Sequence, residues 1–158
     1  MYKKKLCLGL FSEFSIPIED QIRLFGQVGF EAFFSGWDQN IKSYKKLADD
    51  SGMVYQSVHA PFGNAAKMWQ SGENAEKATQ ELLTCVQDCS AAEVPVLVVH
   101  PYIGFEETEH PTKEGIENFG RVVDEAQKCG VKVAFENVEG ESYLDALMKA
   151  FSSCGAVK

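Results

Sequence analysis

Three short apolar runs in this chain end on residues that can do chemistry. Ser57-Val58-His59-Ala60-Pro61-Phe62 and Val98-Val99-His100-Pro101 each place a histidine after a β-rich run, and Ala134-Phe135-Glu136-Asn137 places a glutamate there. Neutral imidazole and carboxylate together suit Zn2+, Mn2+ or Mg2+. If the runs are neighbouring parallel strands, His59, His100 and Glu136 converge on one rim as a candidate divalent-metal site. Taken singly, each has a plainer reading. A histidine at a strand end is more often a hydrogen-bonded rim residue than a ligand, and Glu136 alone is a surface carboxylate. The metal reading is carried by all three falling at equivalent positions. His110, the third histidine, lies in an acidic loop and reads as solvated.

Positioning these residues requires alternating strands and helices. Strand-like runs occur at Leu6–Leu10, Phe30–Phe34, Val54–Val58, Val96–Val99 and Val131–Phe135. Between them apolar residues recur at helical spacing: Ile18, Ile22 and Phe25; Ile41, Tyr44 and Leu47; Ala78, Leu82 and Val86; Phe119, Val123 and Ala126. Leu144, Leu147 and Phe151 stripe a last helix, expected to be capped by Ser142 with Asp145 following. Gly29, Gly52 and Gly130 each stand after a helix and before a strand, where a left-handed residue ends the helix. Gly155-Ala156-Val157 repeats the mark, as if a sixth strand were beginning.

Strict alternation of this kind means parallel strands joined by right-handed crossovers. Two architectures fit. One is a complete flavodoxin-like sheet of five strands. The other is the first five units of a (β/α)8 barrel, which needs about 250 residues when whole against 158 here. The chemistry at the strand ends favours the barrel, because barrel active sites sit at the C-terminal face. No Gly-x-Gly-x-x-Gly follows the first strand, so a dinucleotide fold has no support.

Bulk properties narrow the function. Residues 1–158 suit one domain. The net charge is −8, and the expected rim loops carry Glu13, Asp38, Glu106, Glu107, Glu109, Glu139 and Glu141 against Lys67 alone. A nucleic-acid surface needs the opposite balance, so the expected ligand is a small sugar or polyol. The five cysteines form no CxxC pair and read as reduced thiols. No apolar run is long enough to span a membrane and no signal peptide opens the chain, so a cytoplasmic protein is expected.

The three strand-end segments together resemble the xylose-isomerase-like TIM-barrel superfamily. That group includes sugar isomerases, keto-sugar epimerases and zinc-dependent apurinic endonucleases. The run Asn137-Val138-Glu139-Gly140 resembles members called sugar phosphate isomerases/epimerases. The resemblance covers the whole chain but about five-eighths of the family fold. It implies a metal-dependent isomerase or epimerase that removes a proton next to a carbonyl. Glu136 matches the strand-five glutamate, a metal ligand and catalytic carboxylate, and His59 and His100 match metal-binding positions of the endonuclease branch. Trp37, Phe62, Tyr102, Asn137 and Glu139 are the expected substrate contacts. The family's other ligands lie on later strands, so this chain is expected to be incomplete and inactive alone. It is also expected to self-associate through open sheet edges. The endonuclease branch and a non-catalytic flavodoxin-like domain are the alternatives.

Overall fold

A computed structural model describes residues 5–104, 110–137 and 139–158. Five strands, β1 (Cys7–Gly9), β2 (Ala32–Gly36), β3 (Val54–His59), β4 (Val96–Val99) and β5 (Lys132–Phe135), alternate with five helices. The helices are α1 (Ile18–Gln27), α2 (Ile41–Asp50), α3 (Glu73–Ala91), α4 (Lys113–Cys129) and α5 (Glu141–Ala150). All strand pairs are parallel, in the order β1-β2-β3-β4-β5. A flavodoxin-like sheet would place β1 between β2 and β3, so that alternative is excluded. In sequential order, right-handed crossovers put every helix on the same face. Accordingly each helix packs against the next. This is the arrangement of the first five units of a (β/α)8 barrel.

The core lies between the sheet and that helix layer. Phe33, Val58, Leu97 and Val133 point from the strands to meet Ile22, Val86, Phe119 and Leu147, all fully buried. Each such side chain contributes about 1.5–3 kcal/mol by leaving water. Gly29, Gly52 and Gly130 adopt the expected left-handed conformation; Gly155 does not. Residues 156–158 nevertheless pair with β5, through Val133 N–H to Ala156 O (2.8 Å) and Lys158 N–H to Val133 O (3.0 Å). The outer edge of β5 is therefore partly covered, against the expectation that it lies open.

Three local details go beyond the expectation. Helix α5 begins at Glu141 after Gly140, with no side-chain cap, so Ser142 sits inside the first turn. Gly140 has φ 66°, and a Cβ there would come within 2.6 Å of Tyr143 and 3.0 Å of Tyr102. Close packing under two aromatic rings, rather than a hydroxyl cap, sets this helix start. The loop after β3 also contains a 3-10 helix, Ala65–Trp69. Strands β2 and β3 pair with one register shift: Phe33 stands opposite Tyr55 and Phe34 opposite Ser57, leaving Gln56 without an opposite residue. No helix among the described residues is long and apolar enough to cross a membrane.

Candidate metal centre

The ends of β3, β4 and β5 bring His59, His100 and Glu136 together. One ligand atom from each lies within 4.8 Å of the others. His59 Nε2 is 3.2 Å and His100 Nε2 is 3.7 Å from Glu136 Oε2. The imidazole rings sit 4.7 Å apart. Backbone bonds between strand ends fix this geometry: Trp37 N–H to His59 O, Ala60 N–H to Val98 O, and Glu136 N–H to Val99 O.

The hydrogen bonds also set the tautomers. His59 Nδ1 faces Ala60 O at 2.9 Å, and His100 Nδ1 faces Glu136 O at 3.3 Å. A carbonyl only accepts, so each Nδ1 carries the proton and donates it. In neutral rings both Nε2 lone pairs then face the Glu136 carboxylate. Three acceptors aimed at one point repel one another unless a proton or a cation lies among them. Burial pushes the His100 pKa below the usual imidazole range, and the neighbouring His59 adds to this. His100 therefore holds its lone pair rather than a proton near neutral pH. Its side chain is 7% exposed, whereas Glu136 is 51% exposed and open to a ligand from solvent.

The other expected contacts divide. Phe62 is 52% exposed and stands edge-on to both histidine rings, 5.8 Å from His59 and 5.5 Å from His100. Trp37 lines a 610 Å³ cleft that also includes His59 and Phe62, with its Nε1 donating to Asp88 Oδ2 at 3.1 Å. Asn137 is exposed beside Glu136. Tyr102 goes elsewhere: it is 6% exposed and stacked face to face on Tyr143, 4.3 Å between centroids. It serves as packing rather than as a wall for a sugar ring. Glu139 accepts a hydrogen bond from Gly104 N–H at 2.7 Å, tying the loop after β5 to the loop after β4. Glu106, Glu107 and Glu109 of the acidic rim lie outside the described residues.

Two residues that position the site escape a periodicity argument. Trp69, fully buried, donates from Nε1 to Pro101 O at 2.7 Å, and its own carbonyl accepts from Thr112 Oγ1 at 2.6 Å. It thus braces the residue next to His100 against the start of α4. Gln21, 1% exposed, donates from Nε2 to Phe11 O (2.8 Å) and Ile16 O (2.9 Å) and accepts from Phe11 N–H (3.2 Å). It holds the loop after β1 against α1. A glutamine on the buried stripe of α1 was the one available signal.

A family model described as xylose isomerase-like TIM barrel matches residues 20–149. Among curated proteins no sequence matches. Solved structures of similar shape include D-psicose 3-epimerase from Clostridium cellulolyticum H10, with TM-score 0.75, 14% identity, and 98% of this chain on 62% of that one. The E. coli 3-keto-D-glucoside 4-epimerase gives TM-score 0.78 at 13% identity, with 99% of this chain on 67% of that one. An AP endonuclease of family 2 from Brucella melitensis gives TM-score 0.73 at 15% identity, with 98% on 67%. At these identities the likeness is one of fold. The chain spans 62–67% of the lengths of these three structures.

Proposed function

Because this chain belongs to the xylose isomerase-like TIM-barrel family, we propose that His59, His100 and Glu136 hold a divalent cation in a sugar isomerase or epimerase. The observation that carries this is the convergence of two imidazole lone pairs and a carboxylate within 4.8 Å, with both Nδ1 protons already committed to carbonyls. That donor set fits Zn2+ or Mn2+, and fixing the far ring nitrogen is how proteins orient histidine ligands. When bound, the cation supplies polarisation of substrate oxygens. This chain's own side chains supply part of the remaining chemistry. Glu136, exposed on one side, is positioned to take a proton from carbon next to a carbonyl. Asn137 beside it offers an amide to a hydroxyl, and Phe62 gives the histidine pair an apolar lid.

The substrate class follows from charge and from the company the fold keeps. Two of the similar structures are epimerases of psicose and of a keto-glucoside, and both names describe neutral sugars. The endonuclease is the competing relative. Its phosphodiester substrate calls for basic rim residues, yet Glu13 and Asp38 line the cleft that includes His59, Glu139 and Glu141 follow β5 in the chain, and the Lys67 ammonium is held by Asn64 Oδ1 at 2.8 Å. A neutral sugar or polyol is the better match.

The test is calorimetric titration of Zn2+ and Mn2+ into the chain and into His59→Ala, His100→Ala and Glu136→Gln. We expect one site, weakened by at least about 100-fold in each variant, beyond the roughly 10–100-fold loss typical of outer-shell changes. Equal binding by the variants would remove the ligand assignment. Deuterium uptake from D2O into a panel of ketoses, with and without added metal, tests the proton abstraction itself.

A further inference from the structure

The cleft beside the metal centre is larger and more apolar than a bare sugar needs. Its 610 Å³ falls in the range of about 300–1,000 Å³ that holds drug-sized ligands. Leu10, Phe11, Phe34, Trp37 and Phe62 are among its apolar lining. Most of the polar side chains in it are already engaged with the protein. Ser35 Oγ donates to Gly36 O at 2.7 Å and is bonded to the Tyr55 hydroxyl. Tyr44 OH donates to Asp38 Oδ2 at 2.9 Å, while Asn40 N–H donates to Asp38 Oδ1 at 2.6 Å. Trp37 Nε1 is taken by Asp88. A sugar ring requires the reverse, because a hydroxyl stripped of water without a partner costs about 1–3 kcal/mol. Of the lining side chains that carry polar groups, exposed Ser12 and Glu13 make no such bond among the described residues.

This cleft is continuous with the candidate centre. His59 belongs to both, and Phe62 touches both histidine rings while forming a wall of the cleft. The part of the cleft formed by Phe11 is preformed, since Gln21 fixes the loop that carries it. Resting on the proposed function above, we infer that the ligand is a glycoside: its sugar lies at His59, His100 and Glu136, and an aromatic aglycone lodges between Phe11, Trp37 and Phe62. The polar half of such a molecule meets the metal-binding rim, and its apolar half meets the part of the cleft that has few groups to offer a hydroxyl.

The test compares phenyl β-D-glucoside with methyl β-D-glucoside by calorimetric titration into the zinc-loaded full chain. Burying a phenyl ring in place of a methyl group should tighten binding by about tenfold or more. Phe11→Ala and Trp37→Ala, checked for folding by circular dichroism, should each erase most of that advantage. If zinc binds but the two glucosides bind alike or not at all, the inference is overturned and the metal reading stands. A preference that survives both substitutions overturns it equally. If zinc does not bind, the proposed function fails and takes the placement of the sugar with it.

Discussion

Gly115→Ala sets two effects of known size against each other. In a helix, replacing glycine by alanine ordinarily stabilises by about 1 kcal/mol. Gly115 lies in the first turn of α4, but an added Cβ there would sit 2.1 Å from Trp69 Cε3, 2.7 Å from Cδ2 and 2.8 Å from Cζ3. These are ring atoms, not the end of a flexible chain. The ring is held by its bond to Pro101 O and packed against Phe119 and Tyr143, with centroids at 5.3 and 4.8 Å. Overpacking of this kind costs about 1–3 kcal/mol, and a lost hydrogen bond about 1 more. The clash therefore wins, with a net loss of roughly 1–3 kcal/mol. At about 2–4 °C per kcal/mol for a chain of this size, Tm should fall by roughly 2–12 °C in scanning calorimetry. Because Pro101 adjoins His100, zinc affinity should fall as well. An unchanged or raised Tm would show that Trp69 is free to shift, and the account of it as the brace for His100 would be wrong.

Stability should depend on pH through His100. Burial and His59 hold its folded pKa below the 6.5 of a free imidazole, so the unfolded chain takes up the proton first. This contribution is present above about 6.5 and is lost as pH falls through the folded value; urea unfolding of the wild type against His100→Gln between pH 7.5 and 5 should show the wild type losing more. Gln21→Leu keeps the volume but strands the Phe11 N–H and the Phe11 and Ile16 carbonyls. A loss of about 1–3 kcal/mol is expected, with hydrogen exchange accelerated over residues 11–16 and unchanged in β4; uniform acceleration across the sheet would mean that Gln21 supports the core instead.

Much of the fold was legible because it rests on short-range chemistry. The glycine stops at Gly29, Gly52 and Gly130 are local conformational demands, and the apolar stripes of the helices are local periodicities. Parallel pairing then follows from the alternation, and the sequential strand order follows from the barrel reading that the strand-end chemistry favours. His59, His100 and Glu136 were readable because a strand end is a defined place in a barrel, so equal positions along the sequence become neighbours in space. The packing of Tyr102 and the loop bond of Glu139 were not legible for the complementary reason. Their partners, Tyr143 in α5 and Gly104 in the loop after β4, belong to other elements, and no pattern along the chain announces such contacts. Trp69 reaches Pro101 across 32 residues and carries no periodic signal at all. Ser142 had the composition of a cap, but the tight seat of Gly140 under two rings outweighed it.

The unmatched Gln56 in β3 gives the candidate centre its phase. Side chains along a strand alternate between faces, so counting in twos from Tyr55, which stacks on Phe33 in the helix-facing layer, would send both Ser57 and His59 toward the helices. The extra residue resets the count. Val58, opposite Ser35, becomes the helix-facing residue and is fully buried. His59, opposite Val98 on the next strand, is turned to the other side, where His100 and Glu136 wait. One residue of odd parity thus decides whether an imidazole faces the rim or the core. Deleting Gln56 would change no ligand and remove no contact to the centre, yet it would invert the strand from that point on and withdraw His59 from the rim.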